Sequence, residues 1–138
     1  SNLSNAVYTD SILSLREFEA ARIAMAQIND CVLCLNWLSA RDVRSRADEA
    51  ATIDETFYAH LDDLTWEGFS ERERLAAEFS RRYAIDHVNM DDDLWNRMHA
   101  NFTDDEIVDL AVCVGSWLAY GRFNRVFDID GGCRIPQH

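Results

Sequence analysis

The sequence contains very few residues that would interrupt a helix. Its 138 residues include one proline, Pro136, and five glycines. None of the glycines lies in a turn pattern between strands of alternating polarity, so β-hairpins are not indicated. Apolar residues recur instead at helical spacing along nearly the whole chain. We therefore predict a single all-α domain, a bundle of about six helices, with irregular ends at about 1–8 and 130–138.

Capping signals locate the helices of the second half. Ser70-Glu71-Arg72-Glu73 and Thr103-Asp104-Asp105-Glu106 are capping boxes, and Asp91 can serve as an N-cap between them. The first box is predicted to open a helix that reaches about His87. The helix after the second box is the most apolar and is predicted to be the centre of the core, through Ile107, Leu110, Ala111, Val114, Trp117 and Leu118. Its Gly115 and Gly121 are expected to mark close helix contacts.

The first half is predicted to form three helices followed by a loop. The helices extend from about Thr9 to Ile28, from Cys31 to about Arg46 and from Asp48 to Leu61. Asn29-Asp30 is interpreted as a helix stop and as the N-cap of the second helix. The segment from Asp62 to Phe69 is the loop expected to border a pocket.

Charge and hydropathy exclude several classes of function. The formal charge is −12, from 25 acidic and 13 basic residues, and every basic residue is an arginine. Without lysine, Schiff-base catalysis and a phosphate-loop lysine are excluded. The acidic balance argues against nucleic acid or an anionic membrane as partner. No apolar run approaches the roughly 18 residues of a membrane span and no secretory signal is evident, so we expect a cytoplasmic protein.

One carboxylate stands where a core residue would be expected. Glu19 lies in the middle of an apolar helical stripe formed by Ile12, Leu15, Ile23 and Ala26. An ion pair with Arg16 or Arg22, three residues away on either side, would account for it structurally. A functional carboxylate is the other explanation, and the two are compatible.

The pair Cys31 and Cys34 follows this helix with Cys-x-x-Cys spacing. Two thiols in the first turn of a helix can ionise, close a disulfide or bind one metal. They could also be two small buried hydrophobic residues, or half of a zinc site completed by Cys133 and His138, although the C-x4-H spacing matches no strong zinc pattern. Cys113, on an apolar helix face, is expected to be an inert core thiol.

These residues resemble the carboxymuconolactone decarboxylase and alkylhydroperoxidase D-like superfamily. The resemblance lies in Glu19 twelve residues before the first thiol, followed by Ala26-Gln27-Ile28-Asn29-x-Cys31-x-x-Cys34. It continues through the segments Phe69–Phe79 and Phe102–Leu110 and ends in Arg122-Phe123-Asn124-Arg125. It covers the chain from about Leu15 to Ile129.

The resemblance implies an all-helical subunit that forms a homo-oligomer, a dimer, trimer or hexamer, and reduces a small hydroperoxide or disulfide without a metal or cofactor. Cys34 would attack the peroxide, Cys31 would resolve the sulfenic acid into a disulfide, and Glu19 would belong to a proton relay. An unidentified thiol donor would restore the dithiol. The antioxidant chemistry follows from these roles.

The sequence departs from the family pattern where a histidine follows the second cysteine by four residues. That position is Leu38, and the residues between the thiols are Val32 and Leu33. With Leu38 expected one helical turn beyond Cys34, we expect a slow peroxidase. The alternative is a ligand-binding or oligomeric helical protein with little or no catalysis.

Overall fold

In the computed structural model, which describes residues 2–38 and 46–129, every regular element is helical. The all-α prediction is confirmed, and none of these helices is both long and apolar enough to cross a membrane. The predicted irregular end at 130–138 lies outside the described residues. Residues 39–45, the later part of the helix predicted from Cys31 to about Arg46, lie outside them as well. The α-helices are α1 (Asn2–Asp10), α2 (Leu15–Asn29), α3 (Val32–Asn36), α4 (Ala47–Ala50), α5 (Glu55–Ala59), α6 (Glu71–Ile85), α7 (Asp92–Asn101) and α8 (Asp104–Val126), with a 3-10 turn at His87–Asn89.

Helix α2 lies at the centre of the core, packed mainly against α6 and also against α8. Every residue from Glu17 to Ala26 is buried, and four of these ten are alanines, which let neighbouring helices approach on several sides. The prediction that α8 is the centre is wrong. Its inner face is buried largely as predicted, but Val108, Val112 and Phe123 on the opposite side are exposed.

The chain breaks between α1 and α2, where the sequence predicted one continuous helix from about Thr9. Ser14 caps α2, because its hydroxyl accepts from the Glu17 amide at 3.2 Å while the Glu17 carboxylate accepts from the Ser14 amide at 3.1 Å. The Ser-x-x-Glu spacing at Ser14 and Glu17 is the sequence signal for this break. The predicted irregular start at 1–8 is also wrong, since residues 2–10 are helical and Val7 is buried in the core.

The other helix starts agree with their capping signals. Ser70 and Thr103 form the predicted capping boxes of α6 and α8, and Asp91 caps α7. Helix α6 ends at Ile85, two residues earlier than predicted. The single helix predicted from Asp48 to Leu61 is instead the two short helices α4 and α5. Residues 62–69 form turns, and Phe69 packs with Phe57 in a second apolar cluster beside α2.

Gly121 marks the close crossing of α2 and α8, as predicted. A Cβ atom at this position would collide with the Asn29 amide, which donates a hydrogen bond to the Trp117 carbonyl at 3.0 Å. The absence of a side chain at Gly121 therefore lets the end of α2 reach the backbone of α8.

Arg72 joins the ends of several helices. Its Nε donates to Glu17 Oε1 at 2.6 Å, its Nη1 donates to the Asn101 carbonyl, and its Nη2 pairs with Glu106. Glu17 and Glu106 are the third residues of α2 and α8, where each also completes a capping box. One guanidinium therefore binds the first turns of two helices and the last residue of a third.

Ion pairs between glutamates and arginines, Glu106 with Arg72 and Glu78 with Arg97, are expected to make the fold less stable in acid. Hydrogen bonding to Arg72 lowers the pKa of Glu106, and hydrogen bonding to Arg97 lowers that of Glu78. Because the folded pKa lies below the unfolded one, the stabilisation is complete above the ordinary value of about 4.5 and is lost as the pH falls through the folded pKa. We expect the midpoint of thermal unfolding to fall steadily from about pH 5 to pH 3, and less steeply in Glu106→Gln. If circular-dichroism melts showed the same fall of the unfolding midpoint with pH in Glu106→Gln as in wild type, the Glu106 ion pair would not be a cause of the acid instability.

Candidate functional site

The site begins where α2 ends. Asp30 takes a left-handed conformation, with φ 51°, and its amide donates back to the carbonyls of α2, which ends the helix as predicted. The predicted N-cap role of Asp30 is wrong. Cys31 itself is the N-cap of α3, and its sulfur accepts from the Cys34 amide at 3.3 Å.

Cys31 and Cys34 are joined by a disulfide, with their Cα atoms 5.2 Å apart. The prediction that these two thiols can pair is confirmed. The two sulfurs differ in access, because Cys31 is completely buried whereas Cys34 is half-buried. A molecule that approaches from solvent can therefore reach Cys34 first.

The prediction of one helix from Cys31 to about Arg46 is wrong, and with it the reason for placing Leu38 beside Cys34. Helix α3 ends at Asn36, and Trp37 is already extended, with φ −85° and ψ 117°. Leu38 lies beyond that bend, so the helical spacing that would place it on the same face as Cys34 does not apply. No glycine or proline marks the end of α3 in the sequence.

Glu19 is completely buried and forms the predicted ion pair with Arg22. Arg22 Nε and Nη2 each donate to one carboxylate oxygen at 2.8 Å, and the Tyr58 hydroxyl donates to Oε2 at 2.9 Å. Arg16, the other candidate partner, pairs instead with Glu73 at 2.7 Å. The carboxylate in the apolar stripe is thus compensated by charge and by hydrogen bonds.

Arg22 connects Glu19 to the Cys31–Cys34 segment. Its Nη1 donates to the Cys34 carbonyl and its Nη2 to the Trp37 carbonyl, both at 2.6 Å. Burial alone would lower the pKa of Arg22, but the hydrogen bonds and charge of Glu19 outweigh it and leave that pKa raised. The guanidinium therefore stays charged and fixes the backbone on both sides of α3's last turn.

Cys34 lines a cavity of about 680 Å³, here called the dithiol pocket, between α1, the α2–α3 junction and α8. Arg22 is the only charged residue among the described residues that line it, and Glu19 neutralises that charge. Most of the pocket surface is apolar. Its aromatic, aliphatic and sulfur-bearing side chains include Tyr8, Leu33, Cys34, Trp37, Trp117 and Tyr120. The uncharged polar residues that line it are Ser4, Asn5, Thr9, Asn29, Ser116 and Asn124.

Sequence reasoning did not find most of this pocket. Tyr8 lay in a segment predicted to be irregular, Trp37 was not singled out, and Trp117 was assigned only to the core face of its helix. The loop at 62–69, which was expected to border a pocket, contributes nothing to the dithiol pocket. Positions 8, 37 and 117 are far apart in the sequence, so no spacing pattern indicates that their side chains meet.

Cys113 is an isolated core thiol. It is 1% exposed, and burial raises the pKa of its thiol to about 12. The zinc alternative involved Cys133 and His138, which lie outside the described residues. Within residues 2–38 and 46–129, no group of three or more histidine, cysteine or acidic side chains is placed to hold a metal ion.

Comparison with known proteins identifies one curated relative but no named activity. The chain is 35% identical over 127 residues to the Escherichia coli (strain K12) protein called "Uncharacterized protein YnjA". The matched region spans 89% of this chain and 65% of that relative. No protein-family model matches the chain, and no solved structure matches it.

Proposed function

We propose that the chain is a thiol-dependent oxidoreductase of the carboxymuconolactone decarboxylase and alkylhydroperoxidase D-like superfamily, which reduces hydroperoxides or disulfides through Cys31 and Cys34. The observation that carries the proposal is the unequal access of the two sulfurs. Cys34 lines the dithiol pocket, while Cys31 is buried behind it within disulfide distance. This arrangement suits an attacking thiol backed by a resolving one.

The proposed reaction transfers two electrons from sulfur to the peroxide. The Cys34 thiolate attacks one peroxide oxygen, the O–O bond breaks, and the leaving alkoxide takes a proton to become an alcohol. Cys34 is left as a sulfenic acid. The Cys31 thiol then displaces the hydroxyl as water and forms the disulfide, which an external dithiol reduces by exchange.

We propose a second role for Glu19, the positioning of Cys34, besides the proton relay that the family resemblance suggests. Both of its oxygens accept hydrogen bonds from Arg22, which in turn holds the Cys34 carbonyl. Glu19 is therefore proposed as a positioning residue that acts on Cys34 through Arg22. Its part in proton transfer stays a prediction, as does the expected homo-oligomer.

The proposal predicts selective oxidation of the pair. Reduced protein treated with one equivalent of cumene hydroperoxide is expected to form the Cys31–Cys34 disulfide, while Cys113 stays a thiol because it is buried and its pKa is raised. Alkylation followed by peptide mass mapping measures all three residues. Recovery of Cys31 and Cys34 as free thiols, when the peroxide has not been consumed, would contradict the proposal.

The alternative is a ligand-binding or oligomeric protein with weak or no catalysis. It is favoured by the missing imidazole, since no histidine is among the described residues that line the dithiol pocket. General acid–base groups contribute about 10²- to 10⁴-fold to enzyme rates, so their absence fits a slow reaction. Peroxide consumption no faster than that of a free model thiol would favour this alternative.

A further inference from the structure

The indole of Trp117 carries a buried hydrogen-bond donor that is not fully satisfied. The side chain is 7% exposed, and although its Nε1 approaches the Tyr8 hydroxyl, the two groups do not reach the geometry of a hydrogen bond. Trp117 lines the dithiol pocket together with Cys34. Buried N–H groups nearly always have a partner, so an unpaired donor in a cavity wall indicates the place of an acceptor on a ligand.

Tyr8 supplies a second donor beside the first. Its ring is held edge-on against Trp37 and Phe18, with centroids 4.5 and 5.4 Å away. Burial raises the pKa of its hydroxyl, and the charge of Arg22 and the approach of the Trp117 indole N–H offset part of that rise. The phenol therefore remains protonated near neutral pH and can donate to the same acceptor.

The remaining pocket surface limits the rest of the ligand. It is largely apolar, and its one charged lining residue, Arg22, is already neutralised by Glu19 and bound to the Cys34 and Trp37 carbonyls. A charged ligand would lose its hydration without gaining an unpaired counter-charge. A volume of about 680 Å³ is also within the range of sites for small organic molecules.

We infer that Trp117 Nε1 and the Tyr8 hydroxyl bind an oxygen atom of an uncharged organic ligand whose apolar body fills the dithiol pocket. The inference rests on the proposed function for the ligand's identity, an organic hydroperoxide and the alcohol formed from it. The two donors are then specificity-determining residues. They orient the oxygen end of the substrate within the cavity that Cys34 lines.

The binding test uses the protein with its disulfide formed, so that no turnover occurs. Cumyl alcohol, the product of cumene hydroperoxide, is titrated by calorimetry against wild type, Trp117→Phe and Tyr8→Phe. Tyr8→Phe removes only the hydroxyl, whereas Trp117→Phe keeps an aromatic ring but also loses the extra volume of the indole, so isopropylbenzene binding measures that second effect separately. We expect each change to weaken alcohol binding about fivefold or more, with little change for isopropylbenzene, which lacks the oxygen.

Trp95→Phe is the matched control. Trp95 lies on α7 against Phe79, with ring centroids 6.1 Å apart, and does not line the dithiol pocket. It is expected to leave binding unchanged. Equal alcohol affinity in wild type, Trp117→Phe and Tyr8→Phe, with all three folded by circular dichroism, would overturn the inference.

Peroxide kinetics separate this inference from the proposed function. Donor-dependent alcohol binding in a protein that consumes no peroxide would support the site and reject the oxidoreductase. If both donor variants consumed peroxide with an unchanged kcat/KM, the oxidoreductase would be supported and the ligand-binding role of Trp117 and Tyr8 would be rejected. A raised KM in both variants, with rapid disulfide formation retained, would support both.

Discussion

Cys34→Ser is expected to abolish hydroperoxide consumption, with a loss of at least about 10³-fold, because removal of a nucleophile leaves only binding effects. Cys31→Ser is expected to consume one equivalent and then stop with Cys34 as a sulfenic acid. The difference follows from access, since Cys34 lines the dithiol pocket and Cys31 is completely buried. Stopped-flow measurement of peroxide loss, with dimedone to trap the sulfenic acid, distinguishes the two variants.

Cys113→Ala provides the control for this experiment. Its thiol is buried away from the dithiol pocket, so the variant is expected to react like wild type once its folding has been verified. A Cys34→Ser variant that still consumes one equivalent, beside an inactive Cys31→Ser variant, would reverse the assigned roles. Equal activity in all three variants would remove both cysteines from the reaction.

Glu19→Gln is expected to cost about 3–5 kcal/mol of unfolding free energy, because it leaves the buried Arg22 guanidinium without a counter-charge. Arg22 is 2% exposed and Glu19 is 0% exposed, so water cannot take over the lost interaction. Urea unfolding near neutral pH measures the change. The disulfide should be intact in both proteins, so that its effect on the unfolded state is the same.

Glu71→Gln is the matched control for the loss of one carboxylate. Its closest approach to Arg74 is 4.0 Å and its side chain is 54% exposed, so the expected change is about 0–1 kcal/mol. If Glu19→Gln cost no more than Glu71→Gln, Arg22 would have an alternative source of compensation and the positioning role of Glu19 would be lost with it.

Local signals in the sequence predicted the parts of the fold that local chemistry determines. Ser70 and Thr103 start helices because their hydroxyls and the following glutamates satisfy amides within the same turn. The Glu19–Arg22 pair was predictable for the same reason, since residues three apart meet on a helix. Ser14 shows that such a signal can be overlooked when the surrounding apolar spacing is continuous.

The end of α3, the dithiol pocket and the unequal burial of the two thiols depend on long-range packing, which the sequence patterns do not indicate. The end of α3 at Asn36 has no glycine or proline signal, and Arg22 binds the Cys34 and Trp37 carbonyls on either side of it. The dithiol pocket combines Tyr8, Cys34 and Trp117, which come from three separate helices. No spacing rule brings those residues together. The unequal burial of the two thiols depends on the same packing.

Arg72 has a consequence for how the bundle opens. Helix ends commonly fray one at a time, each at little cost in free energy. Here the first turns of α2 and α8 and the last residue of α7 all bind one guanidinium carried on the first turn of α6. Fraying at the start of α6 would break all three contacts at once, and fraying at any other of these ends would remove one partner of the same guanidinium, so we expect this side of the protein to open as one cooperative unit.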